Sequence, residues 1–134
     1  MTTGALLVMM AAGLSGSFLL ATWLGMGGHQ RDRANPSRFS DVVVFGHVGF
    51  ACVAFVLWLF YVVLRTSALA WTAAVVLVVV LALGLGMFVR WLPQPHHGAP
   101  YSTAEQGLSV TAVAIHGALA AATAALVVLS VIRI

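Results

Sequence analysis

The chain contains no lysine, one cysteine and only three acidic residues among its 134 positions. Each shortage excludes something. The lone Cys52 rules out an internal disulfide, a CxxC redox pair and the CxxCH attachment of a covalent haem. It reads as a small apolar packing residue. Six arginines against the three acids leave a net charge of +3, too small and too scattered for nucleic-acid binding. Asp41 and Glu105 lie at the edges of apolar runs and none of the acids lies inside one, which argues against a proton-coupled exporter built on a buried carboxylate. No phosphate loop, HExxH motif or nucleophile–base pair is present, and Ser15 and Ser17 show no histidine partner at their depth.

What is present is apolar. Hydrophobic residues make up 62% of the chain and charged residues 7%, with a mean hydropathy of +1.07. Soluble domains carry about a quarter charged residues, so an integral membrane domain is the class that fits. Four runs are long enough to cross a bilayer: Gly4–Met26, Ser40–Leu64, Leu69–Val89 and Gly107–Ile132. They predict an all-α, four-helix membrane bundle, with 1–134 as one transmembrane domain. The first run lacks a positive leading segment and is too long for the core of a signal peptide, so it reads as a span. Its Ala12-x-x-x-Gly16 and Gly13-x-x-x-Ser17 pairs suit close approach by a neighbouring helix. With so little polar glue and so much alanine and glycine, a homo-oligomer or a place in a larger membrane complex is the expected setting.

Between the runs, Arg31, Asp32, Arg33, Pro36 and Arg38 end the first hairpin, and Pro95, His96, His97, Pro100 and Glu105 occupy the second long loop. The expected topology puts both long loops on one membrane face and the short ends on the other. Arginine counts favour the loop face as cytoplasmic in a bacterial plasma membrane, with the termini outside. Trp23, Tyr61 and Trp71 read as interface anchors. Offset by 68 residues, Trp23 falls on Trp91, Gly16 on Gly84 and His29 on His97; offset by 69, His47 falls on His116. This predicts an internal repeat of two hairpins related by an axis along the membrane normal.

Two histidines lie inside apolar runs, His47 and His116. They sit at matched repeat positions on the second and fourth helices, which run in the same direction, so they share a depth. Facing imidazoles in a bundle core can hold a cofactor, and a neutral imidazole is a common ligand of haem iron. Gly46, Gly49, Ala112, Gly117 and Ala120 flank them with small side chains. Arg38 and Arg90 stand at the nearby boundary, where haem propionates would need cations. The plainer alternative is that each imidazole bonds a neighbouring helix and aids packing. A loop metal site from His29, His96, His97, Asp32 and Glu105 is a further option, though adjacent His96 and His97 do not aim two rings at one ion.

With His47 and His116 in alternate helices, the chain resembles small four-helix b-type cytochromes of the b561 sort and the related copper-resistance membrane domain. That resemblance implies haem b held by helix histidines, one-electron transfer and quinone as a partner. Those cytochromes use four histidines for two haems, so two here imply one haem. Arg90-Trp91-Leu92-Pro93, followed by Glu105 and His116-Gly117, is similar to small actinobacterial four-helix membrane proteins of unassigned function. A cofactor-free accessory subunit of a larger complex is the competing expectation.

Overall fold

The computed structural model describes residues 1–29, 37, 39–92 and 104–134; Arg38, His96 and His97 lie outside these. Four helices form: α1 (Thr2–Gly25), α2 (Asp41–Leu64), α3 (Ser67–Trp91) and α4 (Val110–Val131), with a 3₁₀ turn at Ala104–Gly107 before α4. The described residues contain no strand. At 1.5 Å per residue, a 24-residue helix such as α1 or α2 is about 36 Å long, enough to cross a hydrocarbon core of about 30 Å. All four helices are long and apolar enough to span a membrane. Helices suit lipid because each satisfies its own backbone hydrogen bonds.

The helix ends follow from local chemistry. After α1, Gly27 takes a left-handed φ of 79°, Gly27 N–H donates to the Leu24 carbonyl and Gly28 N–H to the Trp23 carbonyl. These paired bonds close the last turn, and glycine takes the left-handed position without a Cβ clash. Gly28 also lies under the Trp23 indole, where any Cβ would collide. Between α2 and α3 only Arg65 and Thr66 intervene, with Arg65 left-handed at φ 57°. So short a link forces α2 and α3 to run antiparallel. Ser109 caps α4 by accepting Ala112 N–H at 3.5 Å.

Contacts at the two ends define the topology. Arg65 Nη1 donates to Thr2 Oγ1 at 3.4 Å, Trp58 Nε1 donates to the Thr2 carbonyl at 3.1 Å, and Arg133 reaches Met1. The start of α1, the α2–α3 turn and the end of α4 therefore share one end, here the terminal face. Trp23, Phe39 and Glu105 meet at the opposite end, the loop face. This is the up-down bundle expected from the four runs.

Laterally, α2 packs closely along α3 and α1 along α4, while the α1–α2 and α3–α4 contacts are sparser. Trp58, Tyr61, Met9, Leu77 and Val127 anchor the core toward the terminal face. Leu7, Leu14, Phe18, Val42, Phe60 and Val75 point outward, as lipid-facing side chains do. Buried positions recur along the chain. Ala5 and Met9 on α1 are buried, as are Ala73 and Leu77, each 68 residues on. Ala54, Trp58 and Tyr61 on α2 are buried, as are Thr123, Val127 and Ser130, each 69 residues on. Trp71 is exposed, whereas Trp23 and Tyr61 are buried against neighbouring helices.

Candidate functional site: a pair of facing imidazoles

His47 on α2 and His116 on α4 meet in the bundle, with ring centroids 6.3 Å apart and planes at 71°. Both are partly buried. Each is held by a helix other than its own. His47 Nδ1 lies 2.9 Å from the Val80 carbonyl of α3, and His116 Nδ1 lies 3.1 Å from the Ala12 carbonyl of α1. A carbonyl can only accept, so Nδ1 must carry the hydrogen in both rings. In the neutral imidazole that leaves Nε2 with its lone pair, the atom able to bind a metal.

The two anchors are built alike. Val80 lies four residues before Gly84, and Ala12 lies four before Gly16. A Cβ on Gly84 would come within 3.0 Å of His47 Cε1, and one on Gly16 within 2.9 Å of His116 Cε1. Each glycine thus opens the notch through which an imidazole reaches a main-chain carbonyl. The sequence signal for these notches is the glycine pair 68 residues apart, co-linear with the histidines. The glycines beside the histidines in sequence do less: Gly49 and Gly117 meet nothing within 4 Å, and Gly46 meets only Leu83.

Ser15 corrects the expectation that it has no histidine partner. Its hydroxyl donates to the Ala12 carbonyl at 2.9 Å and lies 3.1 Å from His116 Nδ1. The contact across α1 and α4 is invisible in the sequence, where the two residues are 101 apart. It is not a nucleophile–base pair. His116 Nδ1 bears its own hydrogen, and the serine hydrogen is committed to Ala12. Ser17, by contrast, is exposed and bonds the Gly13 carbonyl of its own helix at 2.9 Å.

Arg90 is exposed in the last turn of α3, where a cation suits the helix dipole. It lines a small open groove of about 160 Å³ with Phe39, Val43, Gly86 and Met87. From Gly84, six residues of helix carry it about 9 Å toward the loop face.

Glu105 is the polar residue whose importance the sequence concealed. Read as part of a loop, it is 1% exposed. Its Oε1 accepts from Trp23 Nε1 at 3.1 Å, from Phe39 N–H at 3.3 Å and from the Ser37 hydroxyl. One carboxylate therefore ties the turn before α4 to the end of α1 and the approach to α2. Committed in this way, it is not a free metal ligand, and no group of three or more metal-binding side chains occurs among the described residues. His29 is exposed, and Asp32, His96 and His97 lie outside the described residues. Glu105→Ala is expected to lower stability by about 1–3 kcal/mol, because buried donors lose their acceptor. Glu105→Gln should lose less, since its amide oxygen still accepts. Thermal unfolding in detergent, followed by circular dichroism, reads the difference.

Comparison of the chain with protein families, with curated proteins and with solved structures finds no match.

Proposed function

We propose that the protein is a membrane b-type cytochrome-like electron carrier with one haem held between His47 and His116. The observation that carries this reading is the imidazole pair itself. Two imidazoles brought together from different helices could hold one haem iron between them. Their ring centroids lie 6.3 Å apart. Both Nδ1 atoms are spent on carbonyls, which leaves two Nε2 lone pairs that could bind the iron.

α1 and α3 present Gly16 and Gly84 beside the imidazoles, where a Cβ would crowd the two rings that would hold such a group. Arg90 stands about 9 Å along the axis from Gly84 and would supply a cation for the carboxylates of such a group. Arg38, outside the described residues, is its counterpart in this reading. When bound, the haem supplies a one-electron couple. The protein's part would be to hold the group through His47 and His116 and to exclude bulk water. Held by two histidines, such a group would favour electron transfer over oxygen chemistry.

The recurrence of buried positions and the two like anchors, Val80 with Gly84 and Ala12 with Gly16, support a two-fold repeat of hairpins. In that arrangement each half contributes one histidine. Placement in a bacterial plasma membrane, with the loop face cytoplasmic, is the orientation the arginines favour.

A second reading, a cofactor-free accessory subunit or homo-oligomer, draws on the outer face of α4. Ala114, Gly117, Ala118, Ala121 and Ala125 are all exposed there. Small residues on a lipid-facing helix permit a partner helix to approach closely. The absorption spectrum of the purified protein, expressed with haem supplied, separates the two. A six-coordinate low-spin spectrum that sharpens on dithionite reduction is expected. A colourless protein that takes up no haem overturns the cytochrome reading and leaves the accessory one.

A further inference from the structure

The two imidazoles are not held alike. Ala12 and Ser15 lie three residues apart on α1, and His116 of α4 reaches both. Their polar atoms form a closed triangle. Ser15 Oγ donates to the Ala12 carbonyl at 2.9 Å, and His116 Nδ1 lies 3.1 Å from that carbonyl and 3.1 Å from Ser15 Oγ. One placement of hydrogens satisfies all three sides. The carbonyl can only accept, so it takes the serine hydrogen and faces the Nδ1 hydrogen, while the serine lone pairs offer Nδ1 a second acceptor. Bonding back to its own helix also fixes the serine rotor, so that acceptor is held in place.

His47 has one such partner where His116 has two. Its Nδ1 meets the Val80 carbonyl at 2.9 Å. Val80 matches Ala12 and Gly84 matches Gly16, each 68 residues on, but Ser15 is matched by Leu83. A leucine side chain neither donates nor accepts, so the hydroxyl breaks the likeness of the two anchors.

The difference bears on ring orientation. Rotation of an imidazole about its Cβ–Cγ bond is soft, so its partners set the direction in which Nε2 points. A single acceptor leaves the ring free to pivot about one bond, whereas two acceptors at separate points hold it. Partners of the Nδ1 hydrogen also raise the basicity of the other ring nitrogen toward a metal.

We propose that Ser15 is a positioning residue for His116, its hydroxyl and the Ala12 carbonyl together clamping the Nδ1 hydrogen and fixing the Nε2 lone pair. The pair is thereby unequal, with His116 the rigid member and His47 the adaptable one. Support of a haem ligand by this clamp rests on the cytochrome reading; the clamp itself does not.

The test uses the full chain, haem-free in phosphatidylcholine nanodiscs, with isotope-labelled histidine read by NMR. Ring signals are assigned by their loss in His47→Ala and His116→Ala. Ser15→Ala should speed exchange of the His116 Nδ1 hydrogen with water about two- to tenfold, the weight of one hydrogen bond. The His47 signal should not change, and Ser15→Thr, which keeps the hydroxyl, should restore slow exchange at His116. Haem titration reads the second consequence. Outer partners of a metal-binding histidine contribute about 10–100-fold to affinity, so Ser15→Ala should bind haem about tenfold more weakly and Ser15→Thr like the parent. Unchanged His116 exchange in Ser15→Ala, or equal acceleration at both histidines, overturns the clamp. Faster exchange with undiminished haem binding overturns its part in ligation and leaves the cytochrome reading standing. A protein that takes up no haem overturns the cytochrome reading, and the exchange measurement alone then decides the clamp.

Discussion

If the pair holds haem as proposed, replacing either imidazole, as His47→Ala or His116→Ala, is expected to abolish the six-coordinate spectrum and reduce bound haem to near background. The reason is geometric. The rings come from different helices and are fixed by different neighbours, His47 by Val80 of α3 and His116 by Ala12 of α1. No third described side chain is placed to substitute, since the described residues contain no larger cluster of metal-binding groups. Folding should survive, because His47→Ala deletes one hydrogen bond and His116→Ala its contacts to Ala12 and Ser15, each worth about 0.5–1.5 kcal/mol, and each leaves a carbonyl still bonded within its helix. Haem content by pyridine haemochrome, measured against protein, reads the result. His97→Ala, in the second loop, should change nothing. If both histidine variants keep a low-spin spectrum, the iron is held elsewhere and the pair is only a packing device.

The second large effect concerns Gly16 and Gly84. A Cβ at Gly16 would lie 2.9 Å from an imidazole carbon, closer than real Cβ atoms come, and one at Gly84 would lie 3.0 Å from its ring, at the tight end of real contacts. Gly84→Leu must push His47 off the Val80 carbonyl, and Gly16→Leu must do the same to His116 and Ala12. Overpacking of this kind costs about 1–3 kcal/mol. On the haem reading the spectroscopic cost should be larger, because one of the two nitrogens that would hold the iron is displaced. Gly49→Ala and Gly117→Ala serve as controls: their Cβ atoms meet nothing within 4 Å, and alanine favours the helix by up to about 1 kcal/mol. Melting temperature in detergent and the haem spectrum should fall together for the first pair and hold for the second. A Gly84→Leu protein with an unaltered melt and spectrum would show that the notch is not needed.

Glycine thus has two meanings in this chain that sequence position alone does not separate. Gly49 and Gly117 lie two and one residues from the histidines, yet a helix turns about 100° per residue and carries them to the outer surface. Gly16 and Gly84 are distant in sequence and lie against the rings. Only the overlay of the two halves hinted that they belonged with His47 and His116. Serines show the same limit. Ser15 and Ser17 look equivalent in the sequence, but one faces α4 and meets His116 while the other faces outward.

The sequence by itself determined the membrane class, the four spans, the up-down order and the shared depth of the two histidines. These follow from run length, from the scarcity of charge and from the connections, all of which act locally along the chain. The tertiary structure decided which helices pair. It set α2 against α3 and α4 against α1, turned the two imidazoles toward one another and chose their carbonyl partners. It also buried Glu105 under Trp23, Ser37 and Phe39, where the sequence showed only a loop carboxylate. An apolar helix is nearly uniform around its circumference, so its pattern says little about which face turns inward. Side-chain volume and the few polar groups settle that face only when four helices are packed together.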